Sequence, residues 1–323
     1  MTTPLHLNLI ARQNGAGLDR DVKLVKTLAE AAGHRVTVSH ARGISPLRAI
    51  FPNKPHFDAN IFMERVFTRW MSSAKTNILI PNQERYPERH LSRLAKMDHI
   101  FCKTQHALEI FQNHHSSCHL THFTSHDLFD SNTPRNELGF FHLAGRSTLK
   151  GTSTLLSLWE KHPKWPSLTL LQHKDNAPEQ TPKNVTLITE YLSDEQVRQL
   201  ANEHRFHLCP SESEGWGHYI VEAMSCQACV ITTDAPPMNE LVTPERGLLV
   251  AENRSEKRHL GTNYYVAPTA LEAQIEAALK MPDVDKATLG KAARTWMLDN
   301  DKQFRKGLIK TIETLLTPHL AQK

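Results

Sequence analysis

Several things are scarce in this sequence. Cysteine is the first, with five in 323 residues. An odd, sparse set excludes a disulfide-stapled scaffold and suits a reducing compartment. Long apolar runs are missing: the mean hydropathy is −0.46, and no run approaches the roughly 20 residues that cross a bilayer. The opening Met1-Thr-Thr-Pro-Leu-His has no basic stretch leading into an apolar one. No secretory leader is therefore expected, and a cytoplasmic location is. Repeats and low-complexity tracts are absent, and so is any basic stripe interleaved with aromatics of the kind that marks a nucleic-acid face. Cys226-Gln-Ala-Cys229 has no second C-x-x-C to complete a metal site, and inert core thiols are expected there. His114-His115-Ser-Ser-Cys118-His119-Leu-Thr-His122 holds ligand types but follows no zinc spacing.

What is present describes ordinary globular cores. Apolar residues make up 39% and charged residues 22%, which excludes disorder. A chain of this length is expected to form two domains. The net charge of +4 is uneven: residues 1–133 carry +5 and the rest −1, and the first part holds 12 of the 20 histidines. Two readings stay open for that excess, an anionic partner or membrane surface and an ordinary solvated face.

The apolar pattern alternates between strand and helix. His6–Ala11 is a short apolar run ending in the turn-rich Arg12-Gln-Asn-Gly-Ala-Gly17. Residues 18–32 have helical spacing, closed by Gly33. Runs at 35–39, 59–63, 77–80 and 99–102 predict strands, each of the last three trailed by a helix-like segment. Residues 124–138 are polar and turn-rich and read as a linker. The rhythm then restarts, with strands at 140–144, 168–171, 185–188, 206–209 and 229–232, a helix capped by Ser193, and helical pattern from about 267. This is α/β: two doubly wound parallel-sheet domains, residues 1–133 and 134–301, with a last helix over 302–323 expected to pack back on the first. Such domains facing each other leave a cleft at the carboxyl ends of their strands.

The richest stretch is Glu214-Gly-Trp-Gly-His-Tyr-Ile-Val-Glu222-Ala-Met. It sets two carboxylates eight positions apart around a Gly-Trp-Gly turn. A helix entered through glycines can hold phosphate on its first N–H groups. Flanking carboxylates can each accept two hydrogen bonds from a sugar diol. The bland reading is a pair of surface acids on an amphipathic helix. Arg146 and Lys150, on a loop between strand and helix, can neutralise a diphosphate or simply be solvated.

These residues resemble a known family, the retaining, nucleotide-sugar-dependent glycosyltransferases of GT-B fold, GT4-like (glycosyl transferases group 1). Ala144-Gly-Arg146-Ser-Thr-Leu-Lys150-Gly151 resembles its Gly-Arg…Lys-Gly element. Pro210-Ser-Glu-Ser-Glu214-Gly-Trp-Gly-His-Tyr-Ile-Val-Glu222-Ala-Met resembles its Pro-Ser…Glu-Gly-Phe-Gly…Glu-Ala-Met element. Val230-Ile-Thr-Thr-Asp234, followed by Glu240-Leu-Val, resembles the strand and helix that come next. The match covers roughly residues 140–250. Gln227 stands where a glycine is usual, Cys229 where a proline is usual, and Pro236-Pro237 where Gly-Gly is customary.

The resemblance implies a GT-B fold, with two Rossmann-like domains facing a central cleft and the donor on the second. It implies catalytic roles for Arg146, Lys150 and Glu214. It implies donor contacts from Gly145, Glu214, Gly215, Trp216, Gly217, His218, Tyr219 and Glu222, with Glu222 on the ribose and Glu214 on the sugar. Gly17 would face the diphosphate from the first domain. Asn82, Glu84 and Glu64, all just after strands, are candidates to orient acceptor or sugar, with Arg65 beside Glu64. No metal or other cofactor is expected, since no aspartate-rich motif presents itself; the donor would be a nucleoside-diphosphate sugar, UDP-sugar favoured. The expected acceptor is a glycan or lipid-linked saccharide, in keeping with an anionic one, in bacterial cell-surface polysaccharide or lipopolysaccharide synthesis. A peripheral contact with the inner membrane face through residues 1–133 would use the same charge. Two alternatives rank lower: a modified DNA base as acceptor, and a sugar-nucleotide-binding protein without turnover.

Overall fold

The computed structural model describes residues 3–12, 17–43 and 55–317. The described chain divides into two compact units. One holds the residues up to Phe123, together with Arg258–Gly261 and the chain from Lys302 onward. The other holds Thr124–Lys257 and Thr262–Asp301.

The first unit is built on a six-stranded parallel sheet: β1 (His6–Ala11), β2 (Arg35–His40), β3 (Phe57–Glu64), β4 (Ala74–Pro81), β5 (His99–Cys102) and β6 (Cys118–Leu120), in the order β2-β1-β3-β4-β5-β6. Helices α1 (Gly17–Ala31) and α2 (Gln105–Phe111) accompany it, and the Thr104 hydroxyl caps α2 by accepting from the Ala107 N–H. The sheet is buried through runs such as Ile61, Phe62 and Met63, as both-sides-covered parallel strands require. From Lys302 the last helix supplies Phe304 against Phe123, ring centroids 5.0 Å apart, and Glu313 at 3.5 Å from His34.

The segments after β3 and β4 are not the α-helices that the spacing predicts. They are 3-10 turns at Thr68–Ser73, Gln83–Arg85 and Glu88–Lys96. Pro81 and Pro87 lack the N–H a helix needs and hold their predecessors extended.

The second unit repeats the plan with β7 (Asn136–Gly145), β8 (Leu168–Gln172), β9 (Val185–Ile188), β10 (His204–Cys209), β11 (Cys229–Thr233) and β12 (Leu248–Val250). All are parallel, in the order β12-β11-β10-β7-β8-β9. Its helices are α3 (Thr152–Lys161), α4 (Asp194–Glu203), α5 (His218–Ser225), α6 (Met238–Leu241), α7 (Pro268–Lys280) and the long α8 (Asp283–Leu316), whose later part groups with the first unit. Phe140 stacks on Phe206 at 4.8 Å and meets Trp159 edge-on at 5.2 Å, the centre of a core that includes Leu168, Ile231 and Ile275. Ser193 and Gln196 form the capping box that opens α4. A two-stranded ribbon, β13 (Glu252–Arg258) and β14 (Gly261–Val266), stands apart from both sheets.

The division falls at Phe123/Thr124, ten residues before the expected 133/134, and the ribbon's turn groups with the first unit. The turn-rich 124–135 segment is fastened by side chains of the second unit. Ser225 Oγ accepts from the Leu128 N–H at 2.9 Å, Asn202 Oδ1 from the Asp130 N–H at 3.0 Å, and Arg198 Nη2 donates to Phe129 O at 3.0 Å. Its polar composition reflects main chain satisfied by side chains, and this resembles a linker in sequence alone. Among the described residues no helix is long and apolar enough to cross a membrane.

Candidate active site

In the second sheet the chain starts at β7, runs outward through β8 and β9, then crosses back to place β10 on the other side of β7. The crevice at the carboxyl ends of β7 and β10 is a topological switch point, where ligands bind in open α/β sheets. The two loops that leave there are Gly145–Gly151 and Pro210–Gly217.

Glycine fits these loops together. Gly151 has φ +65°, and a Cβ there would lie 2.6 Å from Pro210 O. Glu212 N–H donates to Leu149 O at 2.9 Å across the same contact. Gly217, at φ +104°, ends the second loop and opens α5; a Cβ would meet Leu241 Cδ1 at 3.0 Å. Gly145, at φ +55°, turns the chain out of β7.

The side chains then fall into two groups. Arg146 is exposed; its Nη2 lies 2.9 Å from His173 Nε2, and its carbonyl accepts from Asn176 Nδ2 at 2.9 Å. Lys150 Nζ lies over the face of Tyr219, 3.2 Å from the ring centroid, so the two motif elements meet cation on ring. Behind them runs a proton-ordered chain. Ser211 Oγ donates to Glu214 Oε1 at 2.6 Å and is 2.5 Å from Tyr219 Oη. Since the serine proton goes to the carboxylate, the tyrosine hydroxyl donates to the serine. Burial raises the Tyr219 pKa well above its ordinary value, which keeps that proton in place.

Trp216 and His218 converge on Ser125: Trp216 Nε1 donates to its Oγ at 3.1 Å, and His218 Nδ1 lies 2.9 Å from it. Gly215 is buried in the turn between Glu214 and Trp216. Glu222 is 3% exposed on α5 and lines a small, mostly apolar cavity with Tyr219, Cys209, Phe141 and Leu143. The structure thus brings Gly145, Arg146, Lys150, Glu214, Gly215, Trp216, Gly217, His218, Tyr219 and Glu222 into one neighbourhood. Ser211, quoted within the motif without a role, belongs there too, and so do Ser125 and His173, which escaped the sequence reading: a lone serine in a turn-rich segment carries no pattern.

The other candidates belong to the first unit. Asn82 Oδ1 accepts from Lys103 Nζ at 2.9 Å. Glu84 is buried, with Arg85 Nε 3.8 Å from its Oε1, and Glu64, at φ +68°, has Arg65 Nε at 3.2 Å. Gly17 is the first residue of α1, while Gly15 and Ala16 lie outside the described residues.

The family model for glycosyl transferases group 1 matches residues 171–296. Over that stretch the second unit is similar to the group 1 glycosyltransferases. Solved structures agree on the fold over nearly the whole chain. A glycosyltransferase from Rickettsia africae ESF-5 superposes with TM-score 0.73 at 13% identity, covering 97% of this chain and 99% of that one. Sucrose-phosphate synthase from Thermosynechococcus elongatus gives 0.73 at 14%, covering 97% and 100%. Anabaena Alr3699/HepE in complex with UDP and glucose gives 0.70 at 13%, covering 96% and 100%. The architecture is the GT-B fold. Comparison with curated protein sequences finds no match.

The second unit also accounts for one of its departures from the family pattern. Gln227 has φ +56°, the left-handed conformation that glycine adopts without strain, and it stands where the family pattern has glycine. The turn is held regardless: a Cβ on Gly290 of α8 would lie 2.2 Å from Gln227 O, and Arg135 and Arg205 donate to that oxygen at 3.2 and 3.3 Å. Cys229 Sγ donates to Lys286 O at 3.2 Å. Burial pushes the Cys226 thiol up to about 12 and that of Cys229 up to about 11, so neither is a nucleophile at neutral pH. Nothing in the structure explains Pro236-Pro237, joined by a cis peptide, at the customary Gly-Gly.

Among the described residues, three possible metal ligands converge at His162, Glu272 and Glu276. They stand at the far end of α3 from Gly151, and Lys161 Nζ already holds Glu272 at 2.7 Å. In the His114–His122 segment, His115 Nε2–H donates to Met97 O at 2.9 Å and His119 Nε2 lies 3.1 Å from Ser117 Oγ.

Proposed function

We propose that the chain is a retaining glycosyltransferase that takes a nucleoside-diphosphate sugar, UDP-sugar by preference, on its second unit. The carrying observation is the juncture at the β7/β10 switch point, where Gly151 against Pro210 O and Lys150 over Tyr219 join the cationic loop to the two-glutamate loop. In this reading Arg146, Lys150 and the first N–H groups of α5 take the diphosphate. Glu222 accepts the two ribose hydroxyls. Glu214, its orientation fixed by Ser211, accepts from the sugar. The bond from the sugar's anomeric carbon to the diphosphate oxygen breaks, and a bond from the same carbon to the acceptor oxygen forms on the same face. The acceptor's proton passes to the departing phosphate, whose growing charge the two cations stabilise. No metal ion is assigned to that task. The acceptor, a glycan or lipid-linked saccharide, is assigned to the first unit, and the setting to the cytoplasmic side of cell-surface polysaccharide synthesis. Anabaena HepE, solved in complex with UDP and glucose, supports the donor class by likeness of fold.

A panel of nucleotide sugars, followed by thermal shift and then titration calorimetry, tests this. One donor should bind, and Glu222→Gln, which keeps the side-chain volume, should weaken it about 100-fold. Lys150→Met should lower turnover by about 10²–10³. Unchanged donor affinity in Glu222→Gln would falsify the donor-site assignment.

A further inference from the structure

The first sheet has its own switch point. Its order places β1 beside β3, with β2 on one side and β4 to β6 on the other. β3 ends on Glu64, with Arg65 next, and the residues beyond β4 include Glu84 and Arg85. The Glu88–Lys96 turn adds Arg89, His90 and Arg93. The ribbon's turn adds Arg258 and His259: Leu260 packs into the core beside Val66, Tyr86 and Leu94, and a Cβ on Gly261 would lie 3.1 Å from Glu84 N. Stretches of chain from three parts of the sequence thus bring five arginines and two histidines to one end of this unit.

Their charges converge. After burial, the next causes that lower the His259 pKa are Arg258, Arg65, Arg89 and Arg85; for His90 they are Arg93, Arg89 and Arg65. Carboxylates answer only part of this. Glu64 faces Arg65 and Glu84 faces Arg85, while Arg89, Arg93 and Arg258 form no ion pair among the described residues. Arg93 Nη1 donates to Val66 O at 3.4 Å. The Nε atoms of Arg65 and Arg258 are buried and make no hydrogen bond, Arg65 Nε lying 3.2 Å from Glu64 Oε1 at an angle that forms none. Buried guanidinium N–H groups without acceptors are costly, and an anion would satisfy them.

We propose that this cluster, Arg65, Arg85, Arg89, Arg93 and Arg258 with His259, is a binding site for a phosphomonoester carried by the saccharide acceptor. Guanidinium forks match phosphate oxygens in pairs, which a lysine-rich lipid-facing surface does not require. Glu64 and Glu84 at its edge suit neighbouring sugar hydroxyls. As an acceptor subsite the assignment rests on the transferase reading; as a phosphate site it does not.

The test is calorimetric titration of the whole chain, without donor, using inorganic phosphate, a hexose 6-phosphate and the parent hexose. The hexose phosphate should bind, the parent hexose should not, and inorganic phosphate should compete. Arg65→Gln with Arg89→Gln should weaken binding about tenfold or more. Lys164→Gln with Lys183→Gln, the same charge change at exposed positions of the second unit, should leave it unaltered. If the arginine pair compromises folding, the exposed Arg89→Gln alone serves, with a smaller loss. The proposal is overturned if no phosphate binds, if both double variants weaken binding equally, or if only phosphatidylglycerol vesicles bind and phosphate does not displace them. Transfer is assayed separately: phosphate binding without transfer leaves the anion site standing and removes the acceptor reading.

Discussion

The two units share a plan, six parallel strands with a central crossover, yet they fill their sheets with different polar groups. In the first, three amides cross β1, β3 and β4 at one register, and a serine of β2 joins them from two residues further along. Ser39 Oγ donates to Asn8 Oδ1 at 2.7 Å, Asn8 Nδ2 to Asn60 Oδ1 at 2.9 Å, and Asn60 Nδ2 to Asn77 Oδ1 at 3.0 Å. In the second, imidazoles take that place. His142 Nδ1–H donates to Leu208 O at 2.7 Å, and His207 Nε2–H donates to Ala201 O at 2.8 Å. Amides satisfy buried partners at any pH. A protonated imidazole still donates to its carbonyl, but it then carries a charge that burial penalises. One architecture therefore carries two different sensitivities to acid.

The largest expected effect would break that contrast if it failed. Burial lowers the pKa of His142 to about 4 and of His207 to about 3. The unfolded chain takes up these protons below about 6.5, while the folded unit does not. The stability is intact above that value and is lost as pH falls toward about 4. The loss is roughly 1.4 kcal/mol per histidine for each pH unit of that fall, so several kcal/mol for the pair. Urea denaturation between pH 7 and 4.5 should show the second unit weakening first, and His142→Gln should flatten the slope. A stability independent of pH over this range would defeat the comparison.

The first unit has a counterpart in its one deeply buried ion pair among the described residues. Lys103 Nζ lies 2.5 Å from Asp21 Oδ2, donates to Asn82, and sits 4.5 Å from the Phe123 ring centroid. Lys103→Met strands a buried carboxylate and should destabilise this unit by about 3–5 kcal/mol. Adding Asp21→Leu should recover most of it. An additive double variant would show that the pair is not coupled.

The smallest effect runs the other way. Gln227→Gly relieves a left-handed conformation and should stabilise the second unit by about 1 kcal/mol, read as a raised denaturation midpoint. A loss of stability would mean that the Gln227 side chain contributes more than its backbone costs.

The strands were legible in sequence because parallel sheets buried on both faces are written as apolar runs, Ile61-Phe-Met63 and Ile78-Leu-Ile80 among them. The second unit's candidate site was legible for a related reason: Gly145–Gly151 and Pro210–Glu222 are each continuous, and glycines at forced conformations punctuate them. What lay hidden depends on distance along the chain. Arg65, Arg89 and Arg258 meet only because a ribbon turn seats itself on Glu84, and no period or spacing announces that. Ser125 was lost for the same reason, since it acts from 91 residues before Trp216. The proline-bounded 3-10 turns imitated amphipathic helices over too few residues for the pattern to decide.

Helix α5 ends on three consecutive carbonyls, and each is held by an arginine from elsewhere in the second unit. Arg294 donates to Ser225 O at 2.6 Å, Arg135 to Cys226 O at 2.5 Å, and Arg135 and Arg205 to Gln227 O. Because these arginines come from the beginning, middle and end of that unit's sequence, fraying the helix from this end must undo contacts spread over the whole of it. The amide protons of Val221 to Ser225 should then exchange with solvent deuterium only when the entire unit opens, and so should be among its slowest. The segment that bears Glu222 would serve as the clock for global unfolding, although it is only eight residues long.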